Sequence, residues 1–161
     1  MKDLLVKYAC YNLWANERIA NVLKGLDPSS LDKEIPSSFN SIRKTVFHIW
    51  DAEYIWLQRL QGHSLTDWPS KQYDAETPIV KFLETSQAFK EFVEQLAESD
   101  FYGDCVYNNL KGAEYRNPRN EVVQHIFNHS TFHRGQIVTM LRNAGVMELP
   151  ATDFIYYRRS N

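Results

Sequence analysis

Apolar residues recur every three or four positions through four stretches of the chain, the spacing that lays one side of an α-helix against a core. In the first stretch, about Lys2 to Leu26, the stripe is Leu4, Tyr8, Tyr11, Ala15, Ile19, Val22 and Leu26. Gly25 and Pro28 in "GLDPSS" end it. The second, about Asn40 to Gln61, runs Ile42, Val46, Ile49, Glu53, Trp56 and Leu60, with Glu53 the polar exception and Gly62 the stop. Beside that stripe lie Thr45, His48, Ala52 and Ile55. The third opens with Thr77 as a cap and Pro78 at the first helical position. Its stripe is Ile79, Phe82, Ser86, Phe89, Val93 and Leu96. The fourth repeats this opening with Asn117 and Pro118, continues through Val122, Ile126, His129, His133, Ile137 and Met140, and stops at Gly145.

Between the third and fourth stretches, Val106 and Tyr107 precede "NNLKG" and Glu114 to Arg116 follow it, a pattern that predicts a short hairpin. The tail "PATDFIYYRRSN" is rich in aromatic residues, so Phe154 and Tyr156 are expected to dock on the helices. Four long amphipathic helices with few strands predict an all-α fold, a four-helix bundle with a short hairpin between its third and fourth helices.

Composition narrows this picture. At 161 residues the chain fits a single domain, 1–161. Its formal net charge of −2 gives no basic surface for nucleic acid. No run of about 18 apolar residues predicts a membrane span, and polar residues from Asp3 to Arg18 interrupt the start too early for a secretory signal. Two cysteines, Cys10 and Cys105, argue against a disulfide framework and point to reduced thiols in the cytoplasm.

The chemistry concentrates in "QHIFNHSTFHRGQ", which places His125, His129 and His133 four residues apart. Residues four apart on a helix rise about 6 Å and drift about 40°, so two imidazoles converge; residues eight apart rise about 12 Å and drift about 80°. Ligand nitrogens must each lie about 2 Å from a zinc ion. One regular helix therefore supplies two of these histidines, either His125 with His129 or His129 with His133. The apolar row, which continues through His129 and His133, favours the second pair. A third ligand then has to come from another helix, and His48, beside the buried stripe of the second, is the leading candidate. His63 follows Gly62 in a loop and is expected to face solvent.

These residues resemble the DinB-like superfamily of bacterial four-helix-bundle proteins. "HIFNHSTFHRGQ" is similar to its histidine-rich signature, "YNLWANERIA" to its first-helix motif, "VFHIWDAEYIWLQRL" to its second, and "PATDF" to its C-terminal segment. The resemblance implies a divalent metal on three histidines, one from the second helix and two from the last motif, which map onto His48, His129 and His133. His125 is common in the motif without being counted a ligand. It further implies a metal-dependent transferase that joins a low-molecular-weight thiol to small electrophiles, and a homodimer.

Three neutral imidazoles suit zinc, nickel or ferrous iron and leave a position for water or substrate. Two further readings stand beside the transferase: a hydrolase using metal-bound hydroxide, and a non-catalytic, stress-related metal-binding protein. Ser130 follows His129 where helical zinc peptidases carry a glutamate base, which argues against a peptidase. Asp51, one turn from His48, reads as a solvated surface carboxylate, with orientation of a ligand as the alternative. Gly135 reads as making room for a neighbouring helix, Arg134 and Gln136 as supporting the site or joining helices, and Trp14, Trp50, Trp56 and Tyr156 as core, with the lining of a pocket as the alternative.

Overall fold

A computed structural model describes residues 1–73 and 78–160. The chain is predominantly helical. Among the described residues, the long helices are α1 (Lys2–Lys24), α3 (Ile42–Leu60), α4 (Pro78–Gln95) and α5 (Arg119–Asn143), with short helices α2 (Pro28–Asp32) and α6 (Phe154–Ser160). Helix α1 packs on α4 and α5, and α3 packs on the same two from the other side. The expected hairpin is present as β1 (Asp104–Asn108) and β2 (Glu114–Pro118), antiparallel with Val106 opposite Arg116 and Tyr107 opposite Tyr115.

Local chemistry sets the helix ends. Ser41 caps α3, its hydroxyl accepting from the Lys44 amide at 3.3 Å. Beyond α3 and α5 the chain turns through Gly62 and Gly145 at φ +86° and +92°, where a Cβ would be strained. Helix α2 was not foreseen; Asp27 caps it by accepting from the Ser29 amide at 2.8 Å. The expected cap at Asn117 is not formed. Asn117 lies in β2 and accepts from the Tyr107 hydroxyl at 3.0 Å, and the α5 start is tied by the Arg119 amide to the Gly103 carbonyl at 2.9 Å. Thr77 lies outside the described residues.

Two apolar clusters fill the interior. One joins Leu5, Ala9, Leu57, Phe89, Phe101 and Ile126; the other joins Ile19, Ile42, Ile49, Phe82, Ile137 and Met140. A polar belt lies between them in sequence on every long helix: Asn12 and Asn16 on α1, Glu53 on α3, Ser86 on α4, Arg134 on α5, all buried. On α1 this rotates the buried side away from the expected stripe, so Leu4 is exposed and Leu5 buried.

The Arg134 guanidinium donates to the side-chain oxygens of Asn12 at 2.6 Å and Asn16 at 2.8 Å, and to the Thr131 hydroxyl at 2.8 Å. Asn12 donates onward to Glu53 at 2.9 Å. The Ser86 hydroxyl donates to the other Glu53 oxygen at 2.9 Å and accepts from Asn16 at 2.8 Å. Each buried polar group thus meets a complementary one, the condition for burial without a large penalty. Burial pushes the Glu53 carboxyl up to about 7, against the opposing pull of the Ser86 bond, the Arg134 charge and the Asn12 bond.

The tail docks as expected at Phe154, whose ring stacks on Tyr8 at 4.4 Å. Tyr156 remains 46% exposed, its ring packed along Trp14 and Arg18.

Candidate metal centre

Helix α5 carries His129 and His133 on its side facing α3, and His48 faces them from α3, 81 residues before His129. One potential ligand atom from each of the three rings lies within 4.8 Å of the others. The Nε2 atoms of His48 and His129 are 2.9 Å apart, and the ring centroids of the three pairs are separated by 4.5 to 4.8 Å. Four nitrogens placed tetrahedrally about 2.0–2.1 Å from zinc stand about 3.4 Å from one another, so this donor set fits a single divalent ion after small side-chain movements. Such a fit shows that the trio could hold an ion.

Three further contacts shape the trio. The Gln136 Oε1 lies 2.7 Å from His133 Nδ1. An amide oxygen only accepts, so Nδ1 carries the proton and Nε2 keeps its lone pair. Gln136 is itself oriented, because its Nε2 donates to the Ser38 hydroxyl at 2.8 Å. The next residue, Phe39, stacks on His48 with ring centroids 4.1 Å apart and planes at 26°. The segment between α2 and α3 therefore holds two of the three rings.

Electrostatics keep the rings neutral at ordinary pH. Burial, followed by the charges His133, His48 and His125 would carry, pushes His129 down to about 3. Burial, followed by His133, pushes His48 down to about 4. Burial also lowers His133, against an upward pull from Gln136. Neutral rings offer lone pairs, as ligands must.

The remaining expected residues fall elsewhere. His125 is exposed, edge-on to Trp56 at 5.2 Å, and outside the trio. His63 is exposed, as expected. Asp51 departs from its reading: it is 6% exposed, and its oxygens accept from the Ser70 amide, at 2.7 Å, and the Ser70 hydroxyl. It pins the segment after α3 to the helix. Gly135 also departs: a Cβ there would meet nothing within 4 Å, so no neighbouring helix requires the glycine. Trp50 is core, as expected, whereas Trp14 and Trp56 are only partly buried and Tyr156 is exposed.

A cleft of about 650 Å³ opens beside His48, with Phe39, Phe47, Trp68 and Tyr73 among its walls and Lys44 and Lys71 at its edge. Periodicity does not show it, because Phe39, Trp68, Ser70, Lys71 and Tyr73 lie outside the long helices. The available signal was an aromatic pair, Trp68 and Tyr73, inside the otherwise polar "TDWPSKQYD".

Comparison with known proteins agrees with this architecture. The DinB family model matches residues 1–161. Protein DinB of Bacillus subtilis (strain 168) is 30% identical over 166 residues, covering 98% of this chain and 95% of that one. A DinB-like protein from Bacillus cereus ATCC 10987 superposes with a TM-score of 0.61 at 22% identity, over 85% of this chain and 89% of that one, a likeness of fold. The helical fold, the ordered motifs and these matches agree: the chain belongs to the DinB family.

Proposed function

We propose that this protein is an enzyme that holds a divalent metal ion on His48, His129 and His133 and transfers a low-molecular-weight thiol to small electrophiles. The observation that carries the reading is the junction of two features: three neutral imidazoles gathered within 4.8 Å, and a substrate-sized cleft against one of them, His48. Zinc, nickel and ferrous iron all suit such a donor set. An ion bound there supplies Lewis acidity, favouring the anionic form of a thiol or water brought to it. The chain's own part is to present lone pairs, fix the His133 ring through Gln136 and Ser38, and cover His48 with Phe39. We read the four long helices as a single four-helix-bundle domain.

Hydrolysis fits less well. Among the described residues no carboxylate joins the histidine trio, and the nearby Asp51 is occupied by Ser70. A non-catalytic, stress-related metal-binding role leaves the cleft unexplained. Free Cys10 and Cys105 accord with a reducing cytoplasm, and a homodimer through helix packing completes the reading.

The test is conjugation. Metal-loaded protein is incubated with a small electrophile and each of several cellular thiols, and the conjugate is measured by mass spectrometry. Turnover with at least one thiol, lost in His133→Ala, is expected. No conjugate with any thiol, or full activity in His133→Ala, contradicts the proposal.

A further inference from the structure

The cleft beside His48 has a chemical character that the metal centre alone does not dictate. Its α3 wall is built from residues one turn apart: Lys44, then Phe47 and His48, then Asp51. Opposite stand Trp68, Ser70, Lys71 and Tyr73, held to α3 by the paired bonds from Ser70 to Asp51. Phe39 closes a third side while stacked on His48. The aromatic rings line the cleft without filling it, and Trp68 and Tyr73 remain 37% and 44% exposed.

The charge is one-sided. Asp51 is the only carboxylate among the described lining residues, and Ser70 occupies both its oxygens. The Lys44 ammonium bonds to the Asn40 side-chain oxygen at 2.9 Å, a neutral acceptor, and the nearby Asp32 carboxylate is already held through both oxygens by Arg43. Lys71 pairs with Asp67 at 2.7 Å, but both side chains are more than half exposed, and such a pair is readily exchanged for another anion. Two ammonium groups thus flank an aromatic slot whose own carboxylate is already satisfied. Lys44 and His48 are four residues apart on α3, about 6 Å along the axis, so a ligand spanning them is the size of a single ring with a short acidic arm.

We propose that this cleft binds a small, flat, apolar molecule carrying one carboxylate, with the ring against Phe39, Phe47 and Trp68 and the carboxylate on Lys44, assisted by Lys71. The proposal names the substrate class for the enzyme reading above, yet its binding does not depend on a metal.

The experiment measures, by calorimetry on metal-free protein, binding of 3-phenylpropionate and its uncharged amide. The acid is expected to bind about tenfold more tightly, a charge-assisted preference. Lys44→Gln removes that preference and leaves the amide unchanged. Trp68→Ala weakens both ligands. Lys44 and Trp68 are at the surface, so circular dichroism and the melting temperature should match the parent in both variants. Equal binding of acid and amide, an acid affinity unaffected by Lys44→Gln together with Lys71→Gln, or no binding of either ligand overturns the proposal. Acid binding retained in His133→Ala while metal-loaded protein conjugates no thiol would leave this inference standing and remove the transferase reading; conjugation without acid binding would do the reverse.

Discussion

Arg134 and His133 are adjacent on α5, yet they belong to two different kinds of buried polar cluster. Around Arg134, donors and acceptors from all four long helices match: Asn12 and Asn16 accept from the guanidinium, and Glu53 accepts from Asn12 and Ser86. Around His133, three imidazoles gather their ring nitrogens, and the polar partner of His133 is Gln136. The first cluster is complete in itself and serves to register the helices. The second gathers like groups around a shared space: His48 and His129 meet nitrogen to nitrogen at 2.9 Å, so one ring donates to the other, and an ion taking the place of that proton would complete the set. Buried polar groups thus carry two signatures, a network of complementary partners and a gathering of like ring nitrogens, and the second is the one that could hold an ion.

The largest effect is expected at Arg134. Arg134→Met strands two asparagine oxygens and leaves Glu53 facing no cation, and breaking a buried ionic network costs about 3–5 kcal/mol. Urea denaturation is expected to show a loss of this size; a loss under about 1 kcal/mol would mean the belt does not hold the helices in register. Gln136→Ala tests the other cluster. It is expected to weaken zinc binding about 10- to 100-fold, the usual effect of removing a ligand's orienting partner, with little change in stability. Competition against a chromophoric chelator reads this directly, and Gln136→Glu, which keeps the acceptor, is expected to bind far better than the alanine variant.

The two clusters also respond oppositely to pH. His48 and His129 titrate near 4 and 3 in the folded chain against an ordinary 6.5, so the stability they confer is complete above pH 6.5 and is lost as pH falls toward 4. Glu53 is raised from 4.5 to about 7, so its contribution is complete below pH 4.5 and is lost as pH rises through 7. Metal-free Glu53→Gln is therefore expected to lose stability more steeply than the parent between pH 6.5 and 4.5. Replacing His48 and His129 together by Gln should flatten the fall. Thermal melts across this range report both. The smallest effect is at Gly135, exposed and inside α5, where alanine is expected to stabilise the helix by about 1 kcal/mol. A destabilised Gly135→Ala would show that the glycine is required after all.

What the sequence made legible follows from periodicity. The four long helices, the hairpin, and the pairing of His129 with His133 all rest on spacing, and each is present. The assignment of His48 rested on its place beside a stripe, and packing of α3 on α5 brings it to the trio. What escaped has no period. Asn12 and Asn16 look like surface residues until Arg134, more than a hundred positions later, supplies their donor. Asp51 looked solvated because its partner, Ser70, lies in a segment whose path no repeat encodes. Phe39 and Trp68 border the cleft for the same reason: loops set their positions, and loops carry no stripe.

Whether His48, His129 and His133 form one metal site is decided by zinc titration of the metal-free protein and its four single His→Ala variants at 48, 125, 129 and 133. One ion per chain is expected for the parent and for His125→Ala, with binding lost in the other three. A parent that takes up no zinc, or a His48→Ala variant that binds as tightly as the parent, would contradict a shared site.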